Sequence, residues 1–174
     1  MRYALVYGGL SGAVAISVLA LSLAFNLPNH SHSLWFGYLV MLVALSLIFV
    51  GVKRYRDMEC GGVVGFGRAF AVGLGIALVA GLIYALGWEL YLAVSGKDFM
   101  AEYSASILNR MRAEGAPAAA ISAKSAELHA LAESYKNPLF RLPMTFVEIF
   151  PVGLLVTLVS AALLRNPRLL PARA

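Results

Sequence analysis

The sequence predicts an all-α integral membrane bundle of four transmembrane helices, with an extracytoplasmic helical hairpin between the third and fourth spans. Three observations carry this reading. Four apolar stretches, at about 3–25, 34–52, 69–94 and 139–164, are each long enough to approach or exceed a ~30 Å hydrocarbon core at about 1.5 Å per residue. Only 13% of the 174 residues are charged, against about a quarter in ordinary soluble domains, and mean hydropathy is +0.78. The basic residues gather at the ends of the apolar runs, where membrane proteins place them. A formal charge of +5 therefore does not mark a nucleic-acid binder, because no continuous basic patch stands beside exposed aromatics. The single cysteine, Cys60, excludes an internal disulfide framework and a thiolate zinc cluster. One domain is expected over residues 1–174.

The first span is read as a retained anchor. Ala20-Leu21-Ser22 and Ser22-Leu23-Ala24 resemble cleavage sites, but the apolar run from Tyr3 to Phe25 exceeds the roughly 7–15 residues of a signal peptide core. Gly8 and Gly12, with Gly9, Ala13 and Ser17 beside them, give it a small-residue face suited to packing on the third span. A loop without lysine or arginine follows, Asn26 to Ser33. The second span opens with Trp35 and Tyr38 at interfacial depth and ends in Lys53-Arg54-Tyr55-Arg56-Asp57. Cys60-Gly61-Gly62 and Gly65-Phe66-Gly67-Arg68 then make a turn. Their glycines lack the Lys-Ser/Thr of a phosphate-cradling loop and no strand precedes them, which argues against a nucleotide site.

The third span organises the rest. Ala69, Gly73, Ala77, Gly81 and Ala85 recur every fourth residue, and the next position in the series is Glu89. Small residues four apart let another helix approach closely in lipid; Val79 is expected on the opposite, lipid-facing side. Tyr84, Trp88 and Tyr91 mark the far interface. The hairpin is expected over about 97–136: Phe99, Tyr103, Ile107 and Met111 form one helical stripe, and Ile121, Leu128, Leu131 and Tyr135 a second. Gly115-Ala116-Pro117 separates them. Pro151 lies inside the fourth span, where it removes a backbone donor and should free the carbonyl of Val147, kinking the helix. Eight basic residues (Arg2, Lys53, Arg54, Arg56, Arg68, Arg165, Arg168 and Arg173) stand on one side; six, diluted over a longer segment, stand on the other. Both termini are therefore expected in the cytoplasm.

At the second-to-third junction, Lys53-Arg54-Tyr55-Arg56-Asp57, Gly61-Gly62, Phe66-Gly67-Arg68-Ala69-Phe70 and Gly73 resemble the signature of a bacterial four-span membrane family. That family is catalogued as domain of unknown function four-one-nine-nine. The resemblance extends over the chain as architecture: four spans, an aromatic-rich end to the third, and a helical insert beginning Lys97-Asp98-Phe99 with a Glu114-Gly115 break. It implies a bacterial inner-membrane location and brings no activity.

Candidate chemistry is sparse. Glu89 and Glu148 lie inside spans toward the outer face, and ionisable groups at such depth are candidate proton or cation sites. His30, His32 and His129, with those acids, form a possible nitrogen-and-oxygen set for a divalent metal; a bound lipid is the other candidate ligand. Lys53, Arg54, Arg56 and Arg68 are expected to attract anionic lipid headgroups, at about 1 kcal/mol each. No serine stands in a recognisable nucleophile pattern, which points away from an enzyme. The leading expectation is a non-enzymatic protein acting through helix-mediated assembly, as a homo-oligomer or with a membrane-protein partner. A small transport or cation-binding protein using Glu89 and Glu148 is the alternative, and a lipid-handling enzyme the third.

Overall fold

Residues 1–24, 34–96 and 98–171 are described by a computed structural model. They form seven helices: α1 (Arg2–Ala24), α2 (Leu34–Leu45), α3 (Leu47–Glu59), α4 (Phe66–Ser95), α5 (Phe99–Ala113), α6 (Ala118–Tyr135) and α7 (Pro138–Leu164). No strand occurs among the described residues. Among the described residues, four segments are long and apolar enough to cross a membrane: Arg2–Leu23, Gly37–Glu59, Phe66–Ser95 and Pro138–Leu164.

The second of these runs further than its apolar pattern suggests. Helix α3 continues to Glu59, so the basic cluster Lys53 to Asp57 is helical and the helix passes the expected span end near residue 52. The span is also interrupted once, at Ser46. There the Ser46 hydroxyl bonds back to the Val43 carbonyl at 2.6 Å, and the Phe49 amide reaches the Ser46 carbonyl at 3.0 Å. Such back-bonding by serine, with a local three-residue turn, disturbs the regular helical ladder. The Ser11 hydroxyl donates to the nearby Ala44 carbonyl at 3.0 Å, tying α1 to the interruption. Helix α7 passes through Pro143 and Pro151 as one element.

The chain resolves into two compact units, Met1–Trp88 with Thr145 onward, and Glu89–Met144. In the first, Leu45, Ile48, Val52, Ile76, Ala80, Ile149, Ala161 and Leu164 are buried together. Glycines set how closely its helices approach. A Cβ added at Gly8 would lie 2.6 Å from Val79 Cβ, and one at Gly12 would lie 2.6 Å from the Ala80 carbonyl oxygen. Across the other side of α4, the same addition at Gly73 meets Thr157 at 2.8 Å and at Gly81 meets Phe146 at 2.6 Å. Ala69, Ala77 and Ala85 are buried in the same unit. The stripe on α4 is thus used within the chain, against α7, while α1 packs on a different face of α4. That second contact corrects the placing of Val79, which is half-buried against α1 instead of facing lipid. Leu5, Leu10, Leu39, Leu82, Leu86 and Leu155 remain exposed, an extent of apolar surface that water opposes and a bilayer accepts.

In the second unit, Asp98 caps α5 by accepting from the Ala101 amide at 3.0 Å, satisfying one donor that the helix start leaves open. Gly115, at φ +73°, supplies the left-handed turn out of α5. Met100 of α5 and Leu128 of α6 are buried, and the Phe99 ring lies 6.3 Å from that of Tyr135.

Candidate functional site

Two groups of charged side chains stand out, one in each unit. In Glu89–Met144, a cavity of about 690 Å³ opens among the last turns of α4, helices α5 and α6, and the start of α7. Glu89 and Arg141 share its wall. Arg141 Nε donates to Glu89 Oε1 at 2.5 Å, and Nη2 donates to Oε2, a two-point pairing that matches the planar guanidinium fork to a carboxylate. Their side chains are only 15% and 21% exposed, so water screens this pair less than a surface one. Arg141 is held in place twice more: Nη1 donates to the Tyr135 carbonyl at 3.1 Å, and the guanidinium stands 5.4 Å from the Tyr135 ring centre.

Across the cavity, Lys136 donates to Glu133 at 2.8 Å; this hydrogen bond holds the Glu133 carboxyl below its usual range and Lys136 above its own. His129 lines the same space from an exposed position on α6. Leu92, Met100, Leu108 and Leu128 supply apolar wall. The result is an amphipathic recess whose charges are two acid–base pairs and the carboxylate of Asp98. Glu89 is therefore paired with a cation of its own unit, and needs no second acid or metal ion to be neutralised there. The importance of Arg141 is missed when it is counted as a loop cation, although its position three residues inside α7 is a usable signal.

The remaining candidates scatter. Glu148 is exposed on α7. His30 and His32 lie outside the described residues, and among those described no three histidine, cysteine, aspartate or glutamate side chains gather as a metal site. Pro151 is exposed.

The second charged group, in the other unit, corrects the expected lipid-contacting cluster. Arg54 and Arg68 are exposed, but Arg56 is fully buried. Its Nε donates to Asp57 at 2.8 Å, Nη1 to the Leu169 carbonyl at 2.9 Å and Nη2 to the Leu170 carbonyl at 2.5 Å. Lys53 is also engaged, donating to Asp57 at 2.5 Å. Burial explains the correction: a guanidinium at 0% exposure that already donates from each of its three nitrogens to protein oxygens is closed to a headgroup. Nearby, Glu59 accepts from Tyr3 at 3.0 Å and from Arg2. The start of α1, the end of α3 and the segment after α7 thus meet at one end of the unit.

The family model described as "Protein of unknown function (DUF4199)" matches residues 2–166. The chain belongs to the DUF4199 family. No curated protein and no solved structure matches it. For this DUF4199 chain the junction resemblance accordingly extends across all four candidate spans and both charged groups, and function has to be argued from their geometry.

Proposed function

We propose that this chain is a non-enzymatic, multi-pass protein of a bacterial inner membrane that binds a small amphiphile in the cavity of Glu89–Met144. The observation that carries the reading is the two-point Glu89–Arg141 pair set into the wall of a recess of about 690 Å³, within the size range of ligand pockets. Two of the wall acids are paired, Glu89 with Arg141 and Glu133 with Lys136, and Asp98 adds one further carboxylate, so the cavity presents both signs and leans acidic by a single charge. A ligand carrying both signs can address one member of each pair while its apolar part contacts Leu92, Leu108 and Leu128. Titrating the purified protein in a maltoside detergent with a short-chain zwitterionic phospholipid tests this. Saturable binding is expected, weakened at least tenfold by Arg141→Gln and by Glu89→Gln. Equal binding by wild type and both variants would refute the site.

Assembly into homo-oligomers or with a partner, if it belongs to the function, has to use surfaces other than the α4 stripe, because Gly73 and Gly81 already face Thr157 and Phe146 of the same chain. We further infer that both termini are cytoplasmic, from the basic bias of the short segments. Cys60 reports on both. Its neighbour Glu59 pairs with Arg2, and Arg56 holds the Leu169 and Leu170 carbonyls. An impermeant maleimide is expected to label Cys60 in opened but not in sealed cells, with a urea-denatured sample showing that the thiol reacts. Labelling in sealed cells would reverse the orientation.

A further inference from the structure

Glu148 stands ten residues into the 27-residue α7, within three residues of its midpoint, and is exposed. At about 1.5 Å per residue it lies roughly 15 Å from the helix start. Its helical neighbours on the same outward face are apolar and open: Val147 at 62%, Leu155 at 57% and Val159 at 50% exposure. Successive residues turn by about 100° around a helix, which puts Glu148 between Leu155 and Val159, about 20° from each. The buried side of α7, with Ile149, Gly153, Thr157 and Ser160, points elsewhere. Among the described residues Glu148 has no hydrogen bond or ion pair, unlike Glu89. A carboxylate at such depth facing lipid alone is costly, and membrane proteins normally pair such a group.

We propose that the Glu148–Leu155–Val159 face of α7 is the docking surface for a transmembrane helix of a different protein, one that presents a basic side chain at the depth of Glu148. Charge complementarity selects this occupant over a second copy. No lysine or arginine occurs within 3–52, 69–94 or 142–164, so a parallel copy has no cation to offer at that level. A symmetric contact through this face would instead bring two carboxylates together. The apolar neighbours supply the packing surface, and one charge pair fixes the register, as polar residues do between membrane helices.

The full-length protein, donor-labelled at Cys60 and reconstituted in neutral phospholipid vesicles, tests the proposal with two acceptor-labelled probes. One is a polyleucine membrane helix with a single central lysine; the other is the same helix without it. Energy transfer is expected to show at least tenfold tighter association with the lysine helix. Glu148→Gln and Glu148→Leu should abolish that preference with unchanged thermal midpoints, because the side chain is exposed, while Glu102→Gln, at an exposed position of α5, should leave it intact. Equal association with both probes would overturn the proposal, as would a preference that survives both Glu148 variants. Energy transfer between two labelled copies, lost in Glu148→Gln, would identify a second copy as the occupant and likewise overturn it.

Discussion

Arg56→Ala is expected to destabilise the protein by about 3 kcal/mol or more, the scale on which opening a buried, hydrogen-bonded charge acts. The arginine is fully buried and makes three hydrogen bonds, to Asp57, Leu169 and Leu170. Its removal leaves two carbonyls without a donor and leaves Asp57 to Lys53 alone. The segment after α7 should be the first to respond. Leu170 sits at φ +49°, a left-handed conformation costing on the order of 1 kcal/mol in a residue with a side chain, and its carbonyl is bound to Arg56. Thermal unfolding should therefore shift down together with faster tryptic cleavage after Arg165 and Arg168. Arg56→Lys should fall between the two, because an ammonium lacks the planar fork that reaches three oxygens. Leu170→Gly should retain the latch, since glycine adopts that backbone freely. An alanine variant with unchanged midpoint and cleavage rate would show that the buried network contributes nothing. Arg56→Met separates charge from volume: stability equal to wild type would mean the site needs filling and not a cation.

The fold was legible where hydrophobic length alone decides it. Four apolar runs and two amphipathic stripes translate into the four candidate spans and helices α5 and α6, because both signals are local. Arg56 was not legible for the same reason. Reading the second span as ending with its apolar run at Val52 places Arg56 on a solvated tail. Carried one turn further, Ile48, Val52 and Arg56 share a face at i, i+4 spacing, and all three are buried. Charge made the position look like surface; the oxygens that make burial possible come from Leu169 and Leu170, more than a hundred residues away in sequence. Glu89 was legible as a functional candidate but its partner was not, since a side chain reveals its need for a counter-charge and not which cation supplies it. Val79 shows a further limit. A helix that packs on two sides has no single opposite face, and periodicity alone does not say how many neighbours a helix will have.

The glycines of α1 provide a comparison in which helix propensity and packing pull in opposite directions. Gly8, Gly9 and Gly12 stand within two turns, so their intrinsic preferences are alike: alanine in place of glycine favours a helix by about 1 kcal/mol. Their surroundings differ. A Cβ at Gly9 has nothing within 4 Å, whereas at Gly12 it would lie 2.6 Å from the Ala80 carbonyl oxygen and 2.7 Å from Ile83 Cβ. At Gly8 the Ile76 carbonyl oxygen would be 2.7 Å away. These obstacles are backbone atoms and Cβ atoms, which move only if the helices separate. At Gly81 the obstacle is the edge of the Phe146 ring, at 2.6 Å, and a ring can swing. Overpacking of this kind costs roughly 1–3 kcal/mol, and more where the backbone blocks relaxation. Gly9→Ala is therefore expected to raise the thermal midpoint in detergent slightly, while Gly12→Ala and Gly8→Ala lower it despite the same gain in propensity. Gly12→Leu should prevent the α1–α4 contact and with it most of the folded yield. Gly81→Leu should cost less than Gly12→Leu, and Ala71→Leu, on an exposed position of α4, should cost little. If Gly9 and Gly12 tolerated alanine equally, the close approach of α1 to α4 would be wrong, and the small residues of α1 would face lipid rather than the neighbouring helix.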